Sequence, residues 1–191
     1  KKYCLDVGIT FFATAHDRPS FDYLVGLEVP AYKVGSGELH NWEYLETVAK
    51  KGQPTIISTG MYSSSDVGKA VSVLETAGNP KIVLLHCVTS YPTTASEVNL
   101  NAMVFLREKF NLLTGYSDHT VGYHVPLAAV ALGATVIEKH ISLDFDVPNA
   151  QDWKVSCGPH DLKHFIDQLR EVEKSLGRPE KVSTQSEATN M

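Results

Sequence analysis

Several features that would assign this sequence at once are missing. Only three cysteines occur in 191 residues, Cys4, Cys87 and Cys157, and they lie far apart. No C-x-x-C pair is present, which argues against a zinc ribbon or a dithiol redox motif. An odd, scattered cysteine count suits a reducing compartment, so a cytoplasmic location is expected. There is no run of Lys and Arg, and the net charge is −5, so nucleic acid is not an expected partner. No apolar run approaches the roughly 20 residues of a membrane span, and no signal-peptide pattern is visible. No membrane partner is expected. No G-x-G-x-x-G follows the first strand-like run, which weakens a dinucleotide-binding assignment.

What is present is ordinary in bulk and informative in order. Hydrophobic content of 43% and charged content of 20% suit a globular domain with a real core. Lys1 to Val7 reads as the tail of a helix. Six short apolar runs follow: 9–13, 31–34, 55–57, 81–85, 112–116 and 135–139. Between them lie helical stretches with recognisable ends. Pro19-Ser20 opens one and Asn41 caps the next, which Gly52 stops. Ser64 or Ser65 caps a third, ended by Gly78-Asn79-Pro80. Residues 101–110 and 126–132 are helical, and Gly133 caps the latter. Gly158-Pro159 opens a last amphipathic helix over 161–176. The runs are apolar rather than alternating, as in a parallel sheet covered on both faces. A (β/α)8 barrel of TIM type is the expected architecture, with a doubly wound open sheet as the alternative. About six βα units, strands 3–8, are expected within residues 1–178. Residues 179–191 read as a polar linker or tail.

The chemistry gathers where strands end. The run ends offer Thr14, then Lys33 with Ser36 and Glu38, then Ser58 with Thr59, then His86 with Thr89, then Ser117 with His119, then His140. A barrel builds its active site from that rim. The opposite rim carries only turn residues such as Gly52, Gly78 and Gly133. His119 and His140 end successive runs. As parallel neighbours about 5 Å apart they would stand side by side, and one metal needs imidazoles that converge. Lys33, Ser36, Ser58 and Ser117 make a candidate anion site of one charge and several directed donors. Gly35 and Gly37 would let the backbone approach the anion. Lys33 lies inside an apolar strand, where an unpaired charge is costly. Glu38 could be a general base, a substrate hydroxyl acceptor or a salt-bridge partner for Lys33. Asp118 and Glu138 are expected to face away from the site, Asp118 in a structural hydrogen bond. Cys87 reads as a buried small hydrophobe. His16, His40, His124, His160 and His164 read as surface or structural.

The motifs Tyr32-Lys33-Val34-Gly35-Ser36-Gly37-Glu38, Ser58-Thr59-Gly60-Met61, Leu84-Leu85-His86-Cys87 with Tyr91-Pro92-Thr93, Ser117-Asp118-His119-Thr120 and Glu138-Lys139-His140 occur in this order. In these motifs the chain resembles the N-acetylneuraminate (sialic acid) synthases. The resemblance implies a TIM-type barrel that condenses phosphoenolpyruvate with an N-acylated amino sugar, such as N-acetylmannosamine. The product would be a nine-carbon 2-keto acid, with phosphate released. It implies a divalent metal, typically Mn²⁺ with Mg²⁺ or Co²⁺ as alternatives, on His119 and His140. It assigns phosphoenolpyruvate contacts to Lys33, Ser36, Ser58 and Ser117, with Thr14 nearby, and places Glu38, Tyr91 and Asp152 near the sugar. Lys33, Glu38, His119 and His140 are the candidate catalytic residues. A homodimer is implied for the full-length protein.

Three departures from that family matter. Thr89 stands where many members carry an asparagine that helps bind phosphoenolpyruvate. The loop 147–154 differs from the usual Pro-Gly-Pro-Asp pattern by an extra residue and Trp153, which bears on Asp152 and on the sugar accepted. Two initial strands, carrying a Glu-x-Gly-x-Asn-His-like motif and a further lysine, are expected but absent, as is a C-terminal antifreeze-like domain. The runs 9–13 and 135–139 should therefore flank a gap with unpaired, aggregation-prone edges. The isolated piece is expected to be inactive. Competing assignments are a non-catalytic sugar- or phosphate-binding barrel fragment and a metal-dependent aldolase or hydrolase on the same barrel.

Overall fold

The computed structural model describes residues 1–190. Helix α1 (Lys2–Asp6) leads through residues 8–13, which form no strand, to α2 (Arg18–Gly26). Strand β1 (Tyr32–Val34), a 3₁₀ turn (Ser36–Glu38) and α3 (Trp42–Ala49) follow. Then come β2 (Thr55–Ser58), α4 (Ser64–Thr76), β3 (Ile82–His86), α5 (Ala95–Val98) and α6 (Asn101–Phe110). Strand β4 (Leu113–Asp118), α7 (His124–Ala131), β5 (Ile137–Lys139), a 3₁₀ turn (Asp152–Val155) and α8 (Pro159–Ser175) complete the domain. Residues 177–190 are exposed and end in a 3₁₀ turn (Gln185–Asn190).

Local chemistry sets the helix ends. Asp17 accepts a 2.7 Å bond from the Ser20 amide, and Pro19 sits in the first turn. Asn41 caps α3 through the Tyr44 amide. Helix α4 starts one residue earlier than the sequence suggests. Ser63 is the N-cap, because Asp66 completes a capping box with it.

The five strands are all parallel and lie in chain order, β1-β2-β3-β4-β5. Right-handed crossovers in one direction put every connecting helix on the same face. A doubly wound sheet reverses direction, so that alternative is excluded. In a flat sheet β1 and β5 would stand about 19 Å apart, four steps of about 4.8 Å. Yet Lys33 Nζ on β1 lies 3.3 Å from Glu138 Oε2 on β5. The sheet is therefore curled into an arc, a half-barrel whose concave face carries the Lys33 and Glu138 side chains.

The main core fills the space between the arc and its outer helices, with Val34, Leu45, Val48, Ile57, Leu74 and Leu84 fully buried. Gly115 in β4 is forced by close packing. A Cβ there would lie 2.2 Å from the Val136 carbonyl oxygen and 2.8 Å from the Leu85 side chain.

Two strand expectations are corrected. The run 9–13 joins no ladder; its sole sheet contact is the Thr14–Lys33 bridge, and Ile9 and Phe12 are exposed. The segment lies at the edge of the sheet beyond β1, and among the described residues no strand flanks its other side. The fifth run extends two residues further than 112–116, which brings Ser117 and Asp118 into β4. Along β5, an open cleft of about 550 Å³ runs to α8, lined by Ile137, Lys139, Phe165, Ile166 and Leu169.

Candidate active site

The inner face of the arc holds a connected polar cluster. Lys33, the middle residue of β1 between Tyr32 and Val34, is buried, and its charge would be costly without partners. Its ammonium donates to Ser58 Oγ at 2.8 Å and faces the Glu138 carboxylate. Ser117 Oγ donates to the other Glu138 oxygen at 2.6 Å. Strands β1 and β4 thus meet a carboxylate from β5, and β2 joins them through Lys33.

Glu138 corrects the expectation that it faces outward. Side chains two apart in a strand share a face. Counting back two from His140 reaches Glu138, and that signal was available in the sequence. Asp118 does face outward, where it pairs with Lys139 at 2.7 Å. Glu38 is not the partner of Lys33. Its carboxylate accepts a 2.7 Å bond from Asn41 Nδ2 and lies 3.8 Å from His16 Nδ1.

Ser36 sits beside this cluster on a different network. Its hydroxyl accepts from the Gly60 amide at 2.9 Å and contacts Cys87 Sγ at 3.2 Å. Gly60, rather than Gly35 or Gly37, is where space is tight. A Cβ on Gly60 would lie 2.8 Å from both Ser36 Oγ and the Thr89 methyl, whereas Gly37 has nothing within 4 Å. Burial pushes the Cys87 thiol above its ordinary pKa, against smaller opposing effects of Ser36, Gly60 and Lys33. Cys87 is thus a buried, packed thiol. Thr14 reaches the cluster only through its backbone bridge to Lys33.

One rung outward, His119 and His140 stand with ring centroids 5.2 Å apart. Tyr91, before a cis Pro92, covers both rings, at 4.1 Å from His119 and 5.7 Å from His140. His119 Nδ1 lies 2.6 Å from the Val88 carbonyl, so it must be the protonated nitrogen and Nε2 carries the lone pair. Burial lowers the His119 pKa, which the Val88 bond partly offsets and His140 reinforces. His140 Nδ1 lies 3.4 Å from Asp152 Oδ1, on the Asp152–Val155 turn.

A neutral imidazole oriented by a backbone carbonyl is the donor a divalent metal requires. The two rings fit such an ion through two nitrogens, with other positions open to oxygen ligands. Among the described residues no group of three or more His, Cys, Asp or Glu side chains is arranged to enclose a metal. A closed structural zinc site is therefore not the match.

A curled parallel βα sheet with lysine, serines and paired histidines on the rim at its strand ends defines a barrel-type rim site. The NeuB family profile matches residues 1–181, and the chain belongs to that family. It is 43% identical over 185 residues to N,N'-diacetyllegionaminic acid synthase of Campylobacter jejuni, covering 96% of this chain and 55% of the relative. It is 40% identical over 182 residues to human N-acetylneuraminate-9-phosphate synthase, covering 95% of this chain and 50% of the relative. A crystal structure of the N-acetylneuraminic acid synthetase of Leptospira borgpetersenii, in complex with citrate, superposes with a TM-score of 0.90 at 35% identity. That match covers 99% of this chain and 66% of the Leptospira chain. The chain thus spans about half the length of the curated relatives it matches. Among the described residues, no helix is long and apolar enough to cross a membrane.

Proposed function

We propose that this chain carries much of the active site of an enzyme that condenses phosphoenolpyruvate with an N-acylated amino sugar. The product is a nine-carbon 2-keto sugar acid, and phosphate is released. One observation carries the proposal: on β4 and β5, the Ser117–Glu138 rung that meets Lys33 is followed two residues on by the paired rings of His119 and His140. An anion cradle next to a cation-compatible pair suits an enol ester with two anionic groups, a carboxylate and a phosphate, beside a sugar aldehyde.

Lys33, Ser58 and Ser36 hold the phosphoenolpyruvate anion in register, an orientation contribution, and the Gly60 amide orients the Ser36 hydroxyl. Ser117 joins them, and Thr14 and Thr89 border the cradle. His119 and His140 would hold a divalent metal, Mn²⁺ or alternatively Mg²⁺ or Co²⁺, which when bound polarises the aldehyde as a Lewis acid. The enol carbon bonds to the aldehyde carbon, water adds at the carbon bearing the phosphate ester, and that carbon–oxygen bond breaks to free phosphate. Glu138 stands beside Lys33 and Ser117, where a carboxylate can hold the proton that the attacking water gives up. Tyr91 and Asp152 line the sugar side with Glu38, and the packing of Tyr91 on both imidazoles shields them from bulk water.

Residues 1–178 act as the larger part of a barrel whose remaining strands pair at the cleft along β5 and at the segment 9–13. Residues 179–191 serve as a linker toward a further domain. The greater length of the relatives and the exposed Ile9, Ile141 and Leu143 support this arrangement. The test is phosphate release by the full-length protein against a panel of N-acyl hexosamines with Mn²⁺. Release should require both phosphoenolpyruvate and one sugar. Cleavage of a keto acid without phosphoenolpyruvate would instead identify an aldolase.

A further inference from the structure

Each residue of the histidine pair is preceded by one half of a buried ion pair. Asp118 and Lys139 are register partners on the last rung of β4 and β5, and their side chains are 0% and 5% exposed. They lie on the outer face, opposite the site. The Lys139 ammonium donates to Asp118 Oδ2 at 2.7 Å, to the Thr120 carbonyl at 2.8 Å and to the Gly122 carbonyl at 3.3 Å. Asp118 Oδ1 accepts from the Thr120 amide at 3.0 Å and its hydroxyl at 2.8 Å. Beyond this rung the two strands separate. The His119 carbonyl turns to the Thr93 amide, and the His140 carbonyl turns to the Cys157 amide. The lysine is therefore the tie between the end of β5 and the loop that follows His119.

We infer that Asp118 and Lys139 are positioning residues that fix the separation of His119 and His140, and so set the affinity for a divalent cation. This rests on the proposal that the two histidines hold such a cation. A buried ion pair is a poor source of net stability, because desolvation offsets the attraction. Its directional strength lies in geometry: three acceptors converge on one ammonium. Two imidazoles sharing one ion must hold their nitrogens within a few tenths of an ångström.

The experiment measures binding of Mn²⁺ alone, by the electron paramagnetic resonance of the free ion, in the full-length protein. Phosphoenolpyruvate affinity without metal and the melting transition are recorded in parallel. D118N/K139Q removes both charges together and leaves none unpaired. It should melt cooperatively, bind phosphoenolpyruvate within twofold of the parent and bind Mn²⁺ at least tenfold more weakly. K139R keeps the charge but replaces a point donor by a rigid fork; it should weaken Mn²⁺ at least threefold, and it decides the matter if the double variant does not fold. H119A should lose Mn²⁺ altogether. Parent-like Mn²⁺ affinity in the folded clamp variants, with H119A impaired, overturns the clamp and leaves the metal assignment standing. Unchanged Mn²⁺ binding in H119A overturns both. A parallel loss of Mn²⁺ and phosphoenolpyruvate affinity in the clamp variants overturns the clamp as a specific device.

Discussion

Lys33 on β1 and Glu138 on β5 meet at 3.3 Å although four strand steps separate them in the sheet. That contact both reports the curvature of the sheet and balances the one buried cation of the candidate anion cradle. The two residues should therefore respond oppositely to mutation. K33A removes a charged donor, an interaction worth about 1.5–3 kcal/mol, and should raise the phosphoenolpyruvate KM about ten- to a hundredfold. The sugar KM should stay within about threefold, since the sugar side is lined by other groups. E138Q removes the carboxylate that competes for Lys33, so it should tighten phosphoenolpyruvate binding while lowering kcat. Steady-state kinetics in both substrates decide this, and an unchanged phosphoenolpyruvate KM in K33A would remove Lys33 from the cradle.

Gly115 should tolerate no side chain. A methyl group there would press on the Val136 carbonyl and the Leu85 side chain at the β4–β5 seam. G115A should cost about 1–3 kcal/mol, the usual cost of overpacking a core. Urea unfolding is the measurement, with the midpoint lowered and the slope unchanged. A parent-like midpoint would mean that the seam can open without loss.

His86 gives the fold an acid dependence. Burial lowers its pKa below the ordinary 6.5, with the bond to the Val98 carbonyl opposing this in part. The unfolded chain therefore takes up this proton first as pH falls. The contribution to stability is fully present above about pH 6.5 and is lost as pH falls below it toward the folded-state pKa. H86Q, which keeps an N–H donor, should flatten the fall of the urea midpoint through this window. An identical pH profile in H86Q would assign the dependence to other groups.

The full-length protein should release phosphate from phosphoenolpyruvate in the presence of an N-acyl amino sugar, whereas residues 1–191 alone should not. The chain spans about half the length of the curated relatives it matches, and the expectation is that the rest of the full-length protein completes the site. Turnover by the 191-residue chain alone would mean that the groups it carries, with Glu138 as proton acceptor, suffice for the reaction.

The sequence carried the order of the elements well, because apolar runs and caps are local signals. Asn41, Gly133 and Gly158-Pro159 mark helix ends that the structure bears out. The run 9–13 reads equally strand-like, but whether a run becomes a strand depends on what flanks it in the sheet, which no local pattern records. The facing of Glu138 is hidden for a different reason. Its facing follows from period-two counting along β5, and only a fixed anchor such as His140 tells which phase is inward. Partner choice was the least legible. Nothing near Glu38 in the sequence says that it bonds to Asn41 and leaves Lys33 to a residue at the far end of the sheet.

The chain-order sheet also has a kinetic consequence. Each strand pairs with the next one along the sequence, but every parallel pairing must first close a whole helical crossover, as from Tyr32 to Thr55 or from Val83 to Leu113. Non-local pairing of this kind makes assembly slow, and it proceeds stepwise between neighbouring units. The Lys33–Glu138 contact is the exception, since it joins the first strand to the last. The half-barrel can thus gain nearly all its secondary structure before the cradle exists, and closure of that one contact should report the last event of folding.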